Sequence, residues 1–228
     1  MDKMTMDAGA ARRFIETHTI PVHPPLVPEV TLYTATEITP IWEASEAELA
    51  AAEVPPPFWA FPWAGGQALA RYILDNPELV AGRHVLDFGS GSGLVGIAAL
   101  KAGARSVEAA EIDPIACTVI GLNAGMNGVE LTATPRDVIG EPLAKMANGQ
   151  GCSVVLVGDM CYERPLAEAL TSWLRHEAAQ GAAVLMGDAG RNYLPGRGLA
   201  RLAQFAVPTT LELEDKTVRD ATIWRLLP

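Results

Sequence analysis

Cationic side chains are scarce in this 228-residue chain: lysine and arginine number 17 against 27 aspartates and glutamates, a formal net charge of −10. That leaves little for a basic face, which argues against nucleic acid as the main partner. A basic protein partner is compatible with the balance. Cysteine is rare as well. Cys117, Cys152 and Cys161 show no C-x-x-C spacing and no neighbouring histidine, so they read as reduced thiols and imply no structural zinc or other metal. The histidines, His18, His23, His84 and His176, are scattered and suggest no chemistry. Apolar runs stay well short of a membrane span, so no membrane partner is expected. The amino terminus carries Asp2 and Asp7 and lacks an apolar h-region, which disfavours a secretory leader and an acid-poor transit peptide. A cytoplasmic setting is the default expectation. No internal repeat or low-complexity tract is present. At 49% apolar and 19% charged residues the chain is globular, and long enough for one large α/β domain.

The most informative stretch present is Val85-Leu86-Asp87-Phe88-Gly89-Ser90-Gly91-Ser92-Gly93. An apolar strand ends in an acid and breaks into alternating glycines. A helix-prone, Ala-rich segment follows from Leu94 to Ala102. This is a strand, a nucleotide-binding turn and a helix. Gly91 to Gly96 also fits the dinucleotide pattern G-x-G-x-x-G, a weak signal alone. A pyrophosphate on that turn would lie close to the Asp87 carboxylate. S-adenosylmethionine (AdoMet) carries a sulfonium and an ammonium instead of phosphate, so an acid there helps. The stretch resembles motif I of the class I, seven-strand AdoMet-dependent methyltransferases. The bland alternative is a βα turn that binds nothing.

Residues 1–57 are Pro-rich and suit an amino-terminal extension that packs on the core, or a plain solvated arm. Within them Arg12 to Thr17 suits a short helix and Val30 to Ala35 a strand, and Glu46 to Glu53 is acidic and Ala-rich. Residues 58–228 follow a βαβ pattern. Helices are expected over Gly65–Leu74, from Pro114 to about Met126, Pro165–Glu177 and Gly198–Phe205. Strands are expected over Arg83–Asp87, Ser106–Glu111, Leu131–Thr134, Ser153–Gly158 and Ala182–Gly187. Thr209–Glu214 and Ala221–Leu226 read as a terminal hairpin. The expected fold is α/β: a Rossmann-like, seven-strand methyltransferase sheet, mostly parallel, with a carboxy-terminal antiparallel hairpin and helices on both faces.

Glu111 ends the second strand, where a carboxylate can accept hydrogen bonds from both ribose hydroxyls. Ile112 lies beside it. Asp113 is the weaker choice and, before Pro114, suits a helix cap. Asp137 follows the third strand. In the methyltransferase superfamily an acid there binds the adenine amino group, with the Val138 backbone N–H beside it. The turn contributes Gly89, Ser90, Gly91 and Gly93. Asp159 follows the buried strand next to the first, at the crevice where such sheets bind ligands. With Tyr162 it forms D-x-x-Y, suited to hold an incoming amine; a helix cap and a packed tyrosine are the alternative. Four aromatics crowd residues 58–63 of a chain with only 6% aromatics. Phe58 and Phe61 suit the core. Trp63 and Gly66 suit the cofactor side, and Trp59 the substrate pocket, with Gly65 also placed for close approach.

Beyond motif I, the run from Pro57 to Pro77 looks like the segment before motif I in the electron transfer flavoprotein β-subunit lysine methyltransferases. Gly158-Asp159-Met160-Cys161-Tyr162 is similar to that family's post-II motif, with Cys161 where Phe is usual. Gly187-Asp188-Ala189-Gly190-Arg191 resembles a further signature, with Ala189 where Pro is commoner, and Thr222-Ile223-Trp224 also fits. The resemblance covers roughly residues 55–228. It implies AdoMet-dependent N-methylation, up to trimethylation, of lysines in the flavoprotein β-subunit. Those lysines lie in the subunit's recognition loop, which docks acyl-CoA dehydrogenases. Asp159 and Tyr162 would then be catalytic, and Asp188 and Arg191 would hold a loop. Rival readings are the same chemistry on a ribosomal or other protein or a small molecule, AdoMet binding without catalysis, and a nicotinamide-dependent oxidoreductase, which Asp87 disfavours.

Overall fold

Val85, Leu86 and Phe88 are apolar, buried and consecutive apart from Asp87, and they build an inner strand of a seven-stranded sheet. The computed structural model describes residues 7–35, 56–131 and 133–228. The stretch Glu46 to Glu53 therefore lies outside the described residues, as does Thr132. The strands are β3 (His84–Phe88), β4 (Ser106–Glu111), β5 (Ala133–Pro135), β6 (Val154–Gly158), β7 (Ala183–Asp188), β8 (Leu199–Pro208) and β9 (Val218–Leu226), in the order β5-β4-β3-β6-β7-β9-β8. The first five run parallel, and β9 is antiparallel to both its neighbours. The chain moves outward from β3 through β4 to β5, then returns to β6 on the other side of β3. That reversal opens a crevice at the carboxyl ends of β3 and β6.

Both sheet faces are covered, so the inner strands are apolar on both sides. Helix α2 (Ala64–Asp75) and helix α3 (Leu94–Lys101) bury Leu69, Ile73, Val95 and Ile97 against Val85, Val154, Leu156 and Leu185. On the opposite face α5 (Arg164–Ala179) packs Leu170 and Leu174 on Leu86, Val155 and Val184. Helix α4 (Pro114–Met126) starts on the Asp113 cap, whose carboxylate accepts from Ile115 N at 2.8 Å. Among the described residues, no helix is long and apolar enough to cross a membrane.

The first described residues form helix α1 (Ala8–His18) and a small antiparallel pair, β1 (Ile20–Val22) with β2 (Leu32–Thr34). Phe14 and Ile15 share a core with Trp59, Ile115 and Val119. Asn123 of α4, fully buried, ties this region to the glycine turn. It accepts from Tyr33 N at 2.9 Å and donates to Ser92 O at 2.8 Å.

Two expectations are overturned at the carboxy terminus. Gly198–Phe205 is not helical: Leu199 to Pro208 form strand β8, paired along its length with β9. Leu199, Leu202, Ala203 and Ala206 imitate helical spacing because a bulge between Arg201 and Ala203 breaks the two-residue period. Beyond the bulge Ala203, Phe205 and Val207 pack inward in strict alternation. Thr209–Glu214 is not a strand either; the hairpin connection carries a one-turn helix, α6 (Leu211–Glu214), ended by Asp215 in the left-handed region. The hairpin is β8–β9. The third parallel strand begins at Ala133 rather than Leu131.

Close approach of backbones sets the position of α2. A Cβ on Gly187 would overlap the Gly65 carbonyl oxygen, and one on Gly65 would overlap both the Gly187 carbonyl and the Asp159 carboxylate. Gly187→Ala should therefore cost about 3 kcal/mol or more. Gly121→Ala, on α4 where a Cβ meets nothing within 4 Å, should instead stabilise by roughly 0.5–1 kcal/mol. Urea unfolding of both variants checks this; similar losses in the two would remove the close-packing account.

Candidate active site

The carboxyl ends of β3, β4 and β6 surround a cavity of about 350 Å³. Its floor is the glycine turn after β3, where Gly89 and Gly91 have φ of 62° and 54°. Those angles favour glycine. At Gly89 a Cβ would also meet the Met160 side chain, which packs on the turn.

Asp87 does not touch the cavity. It is 1% exposed, and its Oδ2 accepts from Ser90 Oγ at 2.6 Å and from Gly96 N at 2.9 Å. The side chain thus staples strand, turn and helix together from behind. Burial pushes its carboxyl up to about 7, against the pull of the Ser90 and Gly96 hydrogen bonds, with the Glu111 charge adding to the rise. Ser90 is likewise turned to Asp87, and Gly93 begins α3 behind the lining. The sequence placed Asp87, Ser90 and Gly93 against the ligand; in the structure they stand behind the turn and not in the cavity lining. An acid two residues before the turn is recognisable in sequence, but which way it points depends on the helix it reaches.

Glu111 does face the cavity. Its Oε2 accepts from Gly91 N at 2.8 Å, and Oε1 accepts from Ile112 N at 2.7 Å and Asp113 N at 3.1 Å. The turn's own N–H is therefore already committed to a carboxylate. Ile112 is exposed on the rim. Asp137 lines the same side and accepts from Ile139 N at 2.9 Å, while Val138 is buried beneath it. Arg136, also lining, is held by Glu141 at 2.6 Å and by Glu108.

The opposite wall begins at Asp159, which is 7% exposed and adopts φ 54°, uncommon for a residue with a side chain. Its Oδ2 accepts from Gly65 N in the first turn of α2, where the helix dipole favours a negative group. Its Oδ1 accepts from Ala189 N at 3.2 Å and from Arg191 Nε at 2.9 Å. Arg191 continues to the buried Glu214 at 2.8 Å, with Arg219 at 3.8 Å beyond. Sequence reasoning gave Arg191 no more than a loop-holding part, yet it lines the cavity and lies over the Trp63 ring at 5.3 Å. Its place in the loop just after β7, beside the loop that carries Asp159 after β6, was a usable signal.

Tyr162 and Trp63 line the cavity, and Tyr162 is 38% exposed. Burial raises the Tyr162 phenol above its ordinary value, followed by the charges of Glu163 and Glu111. Phe58 is a further correction. It is not core: it is 38% exposed, lines the cavity and meets Tyr162 ring to ring. Trp59 is 2% exposed, packs edge-on against Phe14 and lines the cavity too. Phe61 is buried as expected. Gly66 lies against Gly158, itself a lining residue, and a Cβ on Gly66 would meet nothing within 4 Å. Cys161, beside Tyr162 in sequence, is buried and pushed up to about 12 by burial and then by Asp188 and Asp159, so it is no nucleophile. No group of side chains among the described residues is arranged to hold a metal ion.

The lining pairs apolar walls with the carboxylates of Glu111, Asp137 and Asp159, while its two arginines are already paired. Such a site suits an organic cation with a flat, partly apolar body. It suits a pyrophosphate poorly, since Gly91 N–H presents Glu111 to it. AdoMet fits this donor set.

Residues 68–148 match the family model described as ribosomal protein L11 methyltransferase, PrmA. The electron transfer flavoprotein beta subunit lysine methyltransferase of Xenopus laevis is 36% identical over 226 residues, covering 97% of this chain and 89% of that protein. The Danio rerio protein of the same name is 37% identical over 206 residues, covering 88% and 76%. Among solved structures, Escherichia coli YhhF, assigned as a methyltransferase, superposes with a TM-score of 0.50 at 16% identity over 76% of this chain and 91% of that one. At that identity the likeness speaks for the fold alone.

Asp87 generates a pH prediction. Its folded carboxyl is raised from the ordinary 3.8 to about 7, so the folded state holds the proton more tightly than the unfolded chain. Its contribution favours folding below pH 4 and is lost as pH rises through 7. Asp87→Asn keeps an acceptor for Ser90 and Gly96 and removes the titration. Relative to the variant, the natural chain should lose up to about 4 kcal/mol between pH 4 and 8. Urea unfolding at both pH values checks it; a pH-independent difference would sink the assignment.

Proposed function

The chain belongs to the electron transfer flavoprotein beta subunit lysine methyltransferase family, and on that premise we propose that it transfers methyl groups from AdoMet to lysine side chains of the flavoprotein β-subunit. The observation that carries this reading is Glu111 fastened to Gly91 N–H at 2.8 Å. The carboxylate takes up a turn N–H that a pyrophosphate would need, and its charge favours a cationic cofactor. When bound, AdoMet supplies a methyl group already activated on a sulfonium, so the protein needs chiefly to position a nucleophile and exclude water.

In this reading Glu111 takes the ribose hydroxyls, Asp137 the adenine amino group and the Val138 N–H a ring nitrogen. Gly89, Gly91, Ile112 and Trp63 form the walls. Tyr162 offers its phenol oxygen to the lysine ammonium and orients it, while solvent water takes the departing proton. Asp159, with its oxygens occupied by Gly65, Ala189 and Arg191, fixes the wall and adds a negative potential that attracts the ammonium. The match to ribosomal protein L11 methyltransferases spans residues 68–148. That is the cofactor half, and it stops short of Asp159 and Tyr162, so it favours no second acceptor.

The test is intact-mass analysis of purified flavoprotein β-subunit after incubation with this protein and AdoMet. Mass gains in methyl steps are expected; an unchanged mass, with AdoMet binding demonstrated by calorimetry, would reject this acceptor. Tyr162→Phe should lower kcat about 10-fold and leave AdoMet affinity within twofold. Glu111→Ala should weaken AdoMet by about 1–3 kcal/mol; unaltered affinity would take Glu111 out of the site.

A further inference from the structure

Three aromatic rings converge at the rim of the cavity. The Phe58 ring centroid is 5.6 Å from that of Tyr162 and 6.1 Å from that of Trp63. Phe58 lies in a short 3-10 turn, Phe58–Ala60, and its carbonyl accepts from Trp63 Nε1 at 2.8 Å. That bond fixes the turn to the start of α2. The wall already carries one cation, the Arg191 guanidinium over Trp63. Phe58 and Tyr162 are the rings that reach furthest into solvent, and Glu111 and Asp159 line the cavity with them.

Successive methylation separates two ways of holding an ammonium. In each round one proton leaves the nitrogen for water, the nitrogen lone pair forms an N–C bond, and one S–C bond of AdoMet breaks with its electron pair staying on sulfur. The acceptor nitrogen is cationic before and after the round, but it has one N–H fewer. A hydrogen bond to a phenol or carboxylate oxygen is therefore weakened step by step. Attraction to an aromatic face depends on the charge, not on N–H, and persists through methylation.

We propose that Phe58, paired with Tyr162, sets how many methyl groups a lysine receives, by retaining mono- and dimethylated ammonium at the cavity mouth. This rests on the lysine-methylation reading above and adds a residue that determines the degree of methylation. Phe58 is suited to the part because its ring offers a π face and no hydrogen-bonding group. Its hold on the ammonium does not discriminate between the rounds. Tyr162 by contrast serves the first round best, when the most N–H groups remain.

The experiment follows the mono-, di- and trimethyl products on the flavoprotein β-subunit by mass spectrometry at limiting enzyme, for the natural chain, Phe58→Leu and Phe58→Trp. Leucine keeps an apolar side chain of similar bulk and removes the π face. The natural chain should proceed past the first methyl. Phe58→Leu should lower the rate of the later rounds relative to the first about 5–10-fold, and Phe58→Trp should restore it. AdoMet affinity should be equal in all three by calorimetry. A Phe58→Leu product distribution equal to the natural one overturns the proposal, as does a natural enzyme that stops at one methyl or a leucine variant that binds AdoMet poorly. No mass gain by the natural chain would instead reject the acceptor reading, and the inference with it.

Discussion

Carboxylates accepting backbone N–H groups at the ends of parallel strands are the constraint on which this crevice depends. Asp87 at β3 holds Gly96, Glu111 at β4 holds Gly91, and Asp159 after β6 holds Gly65 and Ala189. Asp188 at the end of β7 repeats the device on Gly190 and Arg191 at 2.7 and 2.9 Å. Parallel strands end together and their loops leave orphan N–H groups. A carboxylate satisfies those groups with charge-assisted bonds, stronger than neutral ones. The consequence reaches beyond stability. Two of them, Glu111 and Asp159, place negative charge in the cavity lining, and a cavity so built is biased toward cationic ligands before any side chain is dedicated to binding.

The same device creates tension, because acids gathered around one crevice raise one another. Asp113 and Asp188 are each pushed up to about 6, in both cases first by burial and in part by a neighbouring carboxylate. Arg191 relieves the tension on one side. It bridges Asp159 to Glu214, and Arg219 stands at the far end. Buried pairs of this kind contribute little net stability, because desolvation offsets their attraction. Their effect is geometric: the arginine cannot move without leaving two buried acids uncompensated. The terminal hairpin is thereby joined to the cavity wall. Glu214 lies in the connection between β8 and β9, and Arg219 on β9 itself, so the antiparallel addition to the sheet reaches the site through one guanidinium.

Legibility in the sequence follows the range of the interaction. The glycine turn, the two strands beside it and the helix after Pro114 could be read from local pattern, since turn conformation and capping are decided within a few residues. The βαβ rhythm gave the parallel strands themselves, and the strand before Asp159 was placed beside the first; the full order needed the pairing. Strand β8 was misread because a single bulge at Leu202 shifts its alternation, and pairing with β9 overrides the helical spacing that results. Asp87 was recognised as important, but its tie to Gly96, nine positions away, was not legible. Phe58 and Arg191 were the larger losses. An exposed phenylalanine is not distinguishable from a core one by sequence, and the partners of Arg191 come from three separate segments.

The contact between Gly65 and Gly187 explains why the cavity rim can be built from aromatic rings at all. With no Cβ on either residue, α2 settles directly on the ends of β6 and β7. Its first turn then brings Trp63 beside Arg191 and carries the Phe58 turn over Tyr162. A bulkier residue at either glycine would lift the helix and part the rings, while the floor keeps its own ties, Gly89 N to Ala110 O and Gly91 N to the Glu111 carboxylate. Floor and rim are thus fastened mainly by different contacts, and they meet where Met160 packs on Gly89 and Trp59 passes Gly91. Such an arrangement lets the rim diverge with the acceptor while the floor stays the same, which agrees with a match to ribosomal protein L11 methyltransferases that ends at residue 148.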